Sequence, residues 1–135
     1  MVAVQPLLFN TVPKKDFFSF YEYSKDKTPV VQPKKVVDFL DFSKNDVATA
    51  TNESVGQIRY DAKMPIELKM RIEEWAIAIN LVASFFNNAD KTMLWFKIAN
   101  PLLGGVSPRD MIRLGRSKRL MKFILTALNE NQIAE

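Results

Sequence analysis

Cysteine and histidine are both absent from this 135-residue sequence, and the two absences together remove most familiar catalytic and metal sites. Without cysteine there is no disulfide framework and no thiolate chemistry. Without histidine the chain lacks the usual general base and the commonest nitrogen ligand for metals. Ser–His and Cys–His nucleophile pairs are therefore excluded, and we predict a protein that is not an enzyme and has no cofactor.

Long hydrophobic runs are also lacking. No stretch approaches the roughly 20 apolar residues of a membrane-spanning helix, and residues 1–18 lack the basic region and apolar stretch of a signal peptide. Apolar residues nevertheless make up 47% of the chain, against 25% charged, which suffices for a globular core. We expect a cytoplasmic protein without membrane contact, built as one compact domain with an appended arm.

Excess positive charge is confined to one segment near the carboxyl end. Between residues 109 and 122 there are six cations and one carboxylate, whereas the rest of the chain is close to neutral. Such a patch can meet a phosphate backbone or an acidic protein surface, and charge alone does not choose between them. The six cations are Arg109, Arg113, Arg116, Lys118, Arg119 and Lys122.

Residues 1–32 differ in composition from the rest of the chain. They contain three prolines and the aromatic cluster DFFSFYEY, without a sustained helical period. The spacing of the aromatic residues fits a short strand or an adherent arm. So many aromatic side chains indicate an arm that packs on its own domain or on a dimer mate; the other interpretation is an arm that contacts DNA or a partner protein.

The next segment, residues 33–64, begins with two short predicted helices. Pro33 suits the first turn of a helix over PKKVVDFLD. Ser43 and Asp46 have the spacing of a capping box, which predicts a second helix starting at Lys44.

A turn and a third short helix are predicted to follow. Asn52 tolerates the left-handed backbone conformation of a turn, and Ser54 can cap a helix that holds Val55 and Ile58 on one side. Two short helices joined by such a turn form a helix-turn-helix, so we predict a helix-turn-helix-like unit over residues 33–64.

DNA recognition by this unit is less clear from the sequence than its fold. Residues 43–63 have no net charge, and Gly56 weakens the presumed recognition helix. Gln57 and Arg59 are the side chains in it best suited to reading bases. The candidate DNA-binding residues are Lys44, Gln57, Arg59, Tyr60 and Lys63.

A long central helix is predicted over residues 65–88. Its apolar residues form one continuous seam and a second row on another side. A helix that is apolar on two sides is central to its own bundle or buried between subunits. We predict both, with one row facing the core and part of the other in a homodimer. The seam is Leu68, Ile72, Trp75, Ile79, Val82 and Phe86, and the second row is Ile66, Met70, Ile77, Leu81 and Phe85.

The last segment, residues 89–135, begins with a helix that ends at a proline. Asp90 can cap this helix, and Pro101 disfavours helix at the preceding Asn100, where we expect the helix to end. Its core candidates are Met93, Trp95, Phe96 and Ile98.

A corner and two further helices complete the chain. Gly104 and Gly105 permit positive φ angles in the corner, and Ser107 with Asp110 predicts a second capping box. Gly115 ends the first of these helices. Ser117 is expected to cap the second, whose apolar face is Leu120, Phe123, Ile124, Ala127 and Leu128.

The segment ANPLLGGVSPRDMIRLGRSKRLMKFIL, with the order of elements before it, resembles the Xre/MbcA/ParS family of bacterial antitoxins. That family carries a tryptophan, an Asn-Pro or Pro-Asn corner, Leu-Gly-Gly, a Ser-Pro helix start and a glycine before the last helix. The resemblance covers about residues 35–130 and leaves residues 1–32 outside. The matching positions are Trp95, Asn100, Pro101, Leu103, Gly104, Gly105, Ser107, Pro108 and Gly115.

The resemblance implies an all-α fold in which a helix-turn-helix-like unit and a long central helix precede a small helical toxin-binding subdomain. It also implies a partner, a RES-domain toxin, which is an enzyme that consumes NAD or transfers ADP-ribose from it. In such pairs the antitoxin shields the NAD pocket with its carboxyl-terminal region and often dimerises. Many of these antitoxins also repress their own operon.

Applied to this chain, the resemblance places toxin binding on the last two helices and the tail. The candidates are Arg109, Arg113, Arg116, Lys118, Arg119, Lys122, Asn129 and Gln132. A cationic toxin pocket would repel the arginines, and in that case the tail at 129–135 is the better plug.

Three functions therefore compete. The first is an antitoxin that is not an enzyme and binds its toxin directly, with or without repression of its own operon. The second is a stand-alone helix-turn-helix transcriptional regulator whose basic patch contacts phosphates. The third is an interaction module that keeps the corner for folding alone, since a fold by itself does not fix a function.

Overall fold

The computed structural model describes residues 15–130, and this part of the chain is mostly helical. A predominantly α fold is therefore confirmed, with one small antiparallel sheet as an exception to the all-α prediction. No helix in the described part combines the length and apolar character needed to cross a membrane. The elements are β1 (Tyr21–Tyr23), β2 (Pro29–Val31), α1 (Pro33–Leu40), α2 (Lys44–Thr51), α3 (Ile66–Phe86), α4 (Ala89–Lys97), α5 (Pro108–Arg113) and α6 (Ser117–Glu130), with 3₁₀ turns at Val55–Gln57 and Pro101–Leu103.

Helix α3 is the centre of the fold. It packs against α1, α4 and α6, and its predicted seam from Leu68 to Val82 is buried. The second row divides along its length. Leu81 is buried near the carboxyl end, whereas Ile66 and Met70 in the first turns are exposed. Part of one of the two rows was predicted to meet a second subunit, and that stays a prediction.

The aromatic arm folds back as a hairpin. β1 and β2 pair antiparallel, with Tyr21 opposite Val31. The carboxylate of Asp16 accepts hydrogen bonds from the backbone N–H groups of Phe20 and Tyr21 at 3.0 and 2.9 Å. These bonds satisfy main-chain donors just before the first strand and at its start.

Aromatic packing fixes the hairpin to the helices. Phe20 is fully buried, and its ring packs edge-on against Phe39 of α1 at 5.9 Å. Phe18 contacts the same Phe39 ring at 4.6 Å. Residues 15–32 therefore pack on their own domain, as one interpretation of the sequence expected. Residues 1–14 lie outside the described part.

The short helices around Asn52 agree with the sequence only in part. Ser43 and Asp46 make the predicted capping box at the start of α2. Asn52 has the predicted left-handed conformation, with φ 57°. The helix expected after Ser54 is instead a single 3₁₀ turn, and the Ser54 side chain caps nothing. Gly56 and the β-branched residue before it have low helix propensity, which explains why the turn does not extend.

The predicted limits of α4 were wrong at both ends. Asn88 is the cap, since its side-chain oxygen accepts from the Lys91 N–H at 2.9 Å, and the helix starts at Ala89. The helix ends at Lys97 because Ile98 is already extended. Ile98 is also exposed, so it is not a core residue.

The corner after α4 is a small closed loop. The Asn100 N–H donates to the Val106 carbonyl at 3.1 Å, and the Gly105 N–H donates to the Asn100 carbonyl at 3.0 Å. Gly104 and Gly105 have φ of 76° and 83°, as predicted. The Asn100 side chain accepts from the Leu102 N–H at 2.9 Å and so caps the second 3₁₀ turn.

The caps of the last two helices differ in part from the prediction. Ser107 caps α5 by accepting from the Asp110 N–H at 3.0 Å. The Asp110 carboxylate pairs with Arg113 at 3.1 Å and does not complete a reciprocal box. Ser117 is the first residue of α6 and therefore not its cap.

Arg109 joins α5 to the end of α1. Its guanidinium donates to the carbonyls of Leu40 and Asp41, the latter at 2.9 Å. It also lies over the Phe42 ring, 5.1 Å from the centroid. Carbonyls at a helix end lack partners within the helix and carry partial negative charge. Arg109 therefore links α5 to a distant part of the chain, and we call these contacts the Arg109 clamp.

Replacing Arg109 with alanine should lower the free energy of unfolding by about 1–3 kcal/mol, because the protein loses charged hydrogen bonds to main-chain carbonyls. Urea denaturation measures the change. Arg116→Ala is the matched control, since Arg116 is an exposed arginine of the same segment, and its effect should stay within about 0.5 kcal/mol. Equal losses in both variants would contradict the clamp.

The hairpin also covers a polar residue of α3. Asn80 is buried, and neither atom of its amide has a hydrogen-bond partner among residues 15–130. The Tyr21 side chain lies beside the Asn80 amide, but the two groups do not form a hydrogen bond. Burial first, and the negative charge of Asp16 second, raise the pKa of Tyr21 above its ordinary value.

A raised tyrosine pKa makes the fold sensitive to alkali. The folded state holds the Tyr21 proton more tightly than the unfolded state, so this stabilisation is complete below about pH 10 and is lost above it. Tyr21→Phe should therefore lose less free energy of unfolding than the wild type as the pH rises above about pH 10. Tyr23→Phe is the control, because Tyr23 is exposed in the same strand; identical pH profiles for the two variants would refute the expectation.

Candidate functional site

An open apolar groove of about 570 Å³ lies beside the corner. Its lining comes from helix α4 and the residues just after it, from the second 3₁₀ turn, and from single aromatic residues of α3 and α6. Among residues 15–130, Lys91 is the one charged residue that lines it. The lining residues are Phe86, Lys91, Leu94, Trp95, Ile98, Ala99, Asn100, Pro101, Leu102 and Phe123.

Three large apolar side chains of the groove are turned to solvent. Leu94 is 58% exposed, Ile98 52% and Leu102 63%. They come from α4, from the residue just after it and from the 3₁₀ turn, so one corner of the chain brings them together. Contiguous exposed apolar surface is typical of interaction sites, whereas isolated apolar residues are not informative.

The groove arises because α4 is apolar on two faces. Phe96 is buried and packs edge-on against Phe39 at 5.7 Å. Leu94 and Ile98, one turn apart, point away from that core. Trp95 lies between the two faces, half-buried, with its ring 5.0 Å from that of Phe96. The predicted core residue Trp95 therefore contacts the core and also lines the groove.

The six cations of residues 109–122 divide into two groups. Arg109 is engaged by the carbonyls at the end of α1, and its side chain is 24% exposed. Arg113 pairs with Asp110 at 3.1 Å. A toxin contact by either residue stays a prediction. Such a contact would have to form while these internal contacts are kept.

The other cations form an exposed basic face at the start of α6. None of the four has an ion-pair partner within residues 15–130. The first turn of α6 contains no acidic residue, although negative charge is what stabilises a helix amino terminus. We call these residues the α6 basic face: Arg116, Lys118, Arg119 and Lys122.

The basic face borders the groove through one residue. Phe123 lines the groove, and Arg119 is four residues before it on α6, so the two side chains lie on the same side of the helix. Asn129, a predicted toxin contact, is exposed near the end of α6. The other tail candidate, Gln132, lies outside the described residues.

The predicted DNA-binding residues do not share a recognition helix. Lys44 is exposed in the first turn of α2, and Gln57 is exposed in the 3₁₀ turn. Arg59 makes a bidentate ion pair with Asp61, at 2.7 and 2.6 Å. A hydrogen bond to Asp61 raises the pKa of Arg59, and the same bond lowers the pKa of Asp61.

The remaining two DNA candidates are close to the same turn. Tyr60 is half-buried and packs against the core, and its pKa is raised first by burial and then by the charge of Asp38. Lys63 is exposed, and its backbone N–H donates to the Asp61 carboxylate at 3.0 Å. This carboxylate therefore organises the turn and places negative charge between the two predicted cationic contacts.

Metal ligation has no evident site in the described part of the chain. Among residues 15–130, no three acidic side chains cluster in a way that could hold a metal ion.

Comparison of the chain with protein-family models, with curated proteins and with solved structures finds no significant match in any of the three.

Sequence reasoning missed the groove itself. The predicted site residues do not include Leu94 or Leu102, and the sequence pattern predicts Phe86 and Phe123 on apolar helix faces. One signal was present: Leu94 and Ile98 are four residues apart and so form a second apolar row on a helix whose core row contains Phe96.

Proposed function

We propose that the protein is a cytoplasmic antitoxin that neutralises a RES-domain, NAD-consuming toxin by direct binding. The observation that carries the proposal is the exposed apolar groove beside an α6 basic face that lacks ion-pair partners within residues 15–130. Protein interfaces combine an apolar centre with a more polar rim. This corner has both, and it lies within the segment whose sequence resembles the antitoxin family.

The two parts of the surface have different roles in the proposal. Leu94, Ile98 and Leu102 supply the apolar contact area, which is the main source of affinity. The basic face speeds association with an acidic surface and sets orientation, because rim charges act mainly on association rate and specificity. Asn129, exposed near the end of α6, and Gln132, which lies outside the described residues, remain predicted toxin contacts.

The same proposal includes a homodimer. Ile66 and Met70 are exposed on the first turns of α3, 65% and 50% respectively, and are three turns or more away along the helix from Phe86 in the groove. A subunit contact there leaves the groove of each protomer open to a toxin.

Co-expression with the product of the neighbouring reading frame tests the antitoxin proposal. The neighbour should arrest growth alone, and the full-length protein should restore growth and co-purify with it. Leu94→Glu combined with Leu102→Glu should abolish both effects, because charge in the apolar centre of an interface is strongly unfavourable. Val55→Glu is the matched control, an exposed apolar residue outside the groove.

Two results would oppose the proposal in different ways. A neighbour that is not toxic, or that does not co-purify, removes the antitoxin function. Full rescue by the Leu94 and Leu102 double variant, with an unchanged melting temperature, removes the groove as the toxin contact.

DNA binding is the second candidate function, and the α6 basic face is the observation that favours it. Four exposed cations close together can neutralise phosphates. The region of residues 43–63 contributes less, because its second helix is one 3₁₀ turn and Arg59 is paired with Asp61. Repression of the operon by the antitoxin would then depend chiefly on α6.

Replacing all four residues of the α6 basic face with alanine should weaken binding to duplex DNA from upstream of the gene. The slope of log affinity against log salt should fall by about 0.9 for each phosphate that the variant no longer neutralises. Lys44→Ala combined with Lys63→Ala is the comparison variant and should change the slope less. Salt-independent binding, or none, would eliminate this function.

A further inference from the structure

We infer that the groove binds the apolar face of an acidic amphipathic helix. The inference concerns the chemistry of the occupant, and it rests on the proposed function only in taking that helix to belong to the toxin. Neither the groove nor its occupant follows from the sequence resemblance, which draws attention to the corner and the basic residues.

The shape of the groove fits a helix of about two turns. One face of α4, together with the residue after it, lines the groove. The residues on this face are spaced i, i+3, i+4 and i+7, counting from Lys91. Those positions span about 10 Å. An amphipathic helix presents apolar anchors at the same spacing, which is the usual way such a helix binds in a groove. The wall residues are Lys91, Leu94, Trp95 and Ile98.

The hydrogen bonds of the walls exclude an extended peptide as a good fit. An added strand needs a free row of backbone N–H and C=O groups. The walls here are mostly helical, so most of their backbone groups are bonded within α3, α4 and α6, and in the corner the Asn100 N–H donates to the Val106 carbonyl. An extended occupant would leave its own backbone groups unpaired on an apolar surface, whereas a helix satisfies them itself.

The charge around the groove selects an acidic helix. Within one turn of the lining residues on α3, α4 and α6 there are four cations and one carboxylate, Asp90. The cations are Lys91, Lys97, Arg119 and Lys122. Carboxylates flanking the apolar anchors of the occupant would face this rim, and lysines there would be repelled.

The position of Arg119 gives a second reason for an anionic occupant. It lies in the first turn of α6, where the helix dipole disfavours positive charge. Local electrostatics alone would place an acidic residue there, and departures from local rules concentrate at functional sites. A carboxylate of the bound helix near Arg119 would offset the unfavourable dipole interaction.

Two designed helical peptides test the inference on the full-length protein. Both have leucine at the three anchor positions, one carries glutamate at the flanking positions and the other lysine, and circular dichroism matches their helix contents. Calorimetry should show the glutamate peptide binding more tightly by up to about tenfold, the factor that two exposed ion pairs can supply. Its affinity should fall as salt rises.

Charge reversal and groove variants make the test specific. Lys91→Glu combined with Arg119→Glu should reverse the preference, and the fold should persist because a carboxylate at residue 119 suits the first turn of α6. Leu94→Glu combined with Leu102→Glu should abolish binding of both peptides. Val55→Glu should leave both affinities unchanged.

Several results would overturn the inference. Equal affinity for the two peptides would do so, and so would a preference that charge reversal does not alter. Tighter binding of a proline-containing extended peptide with the same leucines would also overturn it. Conversion of a dimer to a monomer by the Leu94 and Leu102 double variant would assign the groove to a second copy of the chain instead. Peptide binding without neutralisation of the neighbouring gene product would refute the antitoxin proposal and leave the inference standing.

Discussion

Burial of α3 is the constraint on which the rest of the structure depends. Its seam, from Leu68 through Trp75 to Val82, is covered by α1, α4 and α6. Each of those helices is too short to be stable alone in water, since isolated helices below about 12–15 residues are marginal and α6 is at that limit. They are held by packing against α3, and the hairpin completes the cover by placing Phe20 in the same core.

The exposed apolar groove is a consequence of the orientation of α4. Phe96 anchors α4 to the core, and that contact fixes the rotation of the helix. Leu94 and Ile98 are then directed outward, and the closed loop between Asn100 and Val106 holds Leu102 beside them. The groove is thus a consequence of how the core is packed, because the elements that line it are positioned by neighbours that are buried.

The basic segment shows why charge counts mislead without a structure. Arg109 reaches residues 40 and 41, almost seventy positions away, and serves the fold. Arg113 is held by a carboxylate one turn before it. The next four cations have no such partners in the described part of the chain, so the charge available to a ligand begins at Arg116.

The sequence by itself determined the local structure: the capping box at Ser43, the left-handed turn at Asn52, the glycine corner and the presence of the long helix α3. These features depend on interactions within a few residues, which spacing and residue type encode directly. Only the tertiary structure decided that Ile98 is exposed and that Arg109 is a clamp. It also decided that Phe86, Leu94, Leu102 and Phe123 share one groove. Those outcomes depend on which residues far apart in the sequence come into contact. The periodicity of apolar residues along the chain does not specify those contacts.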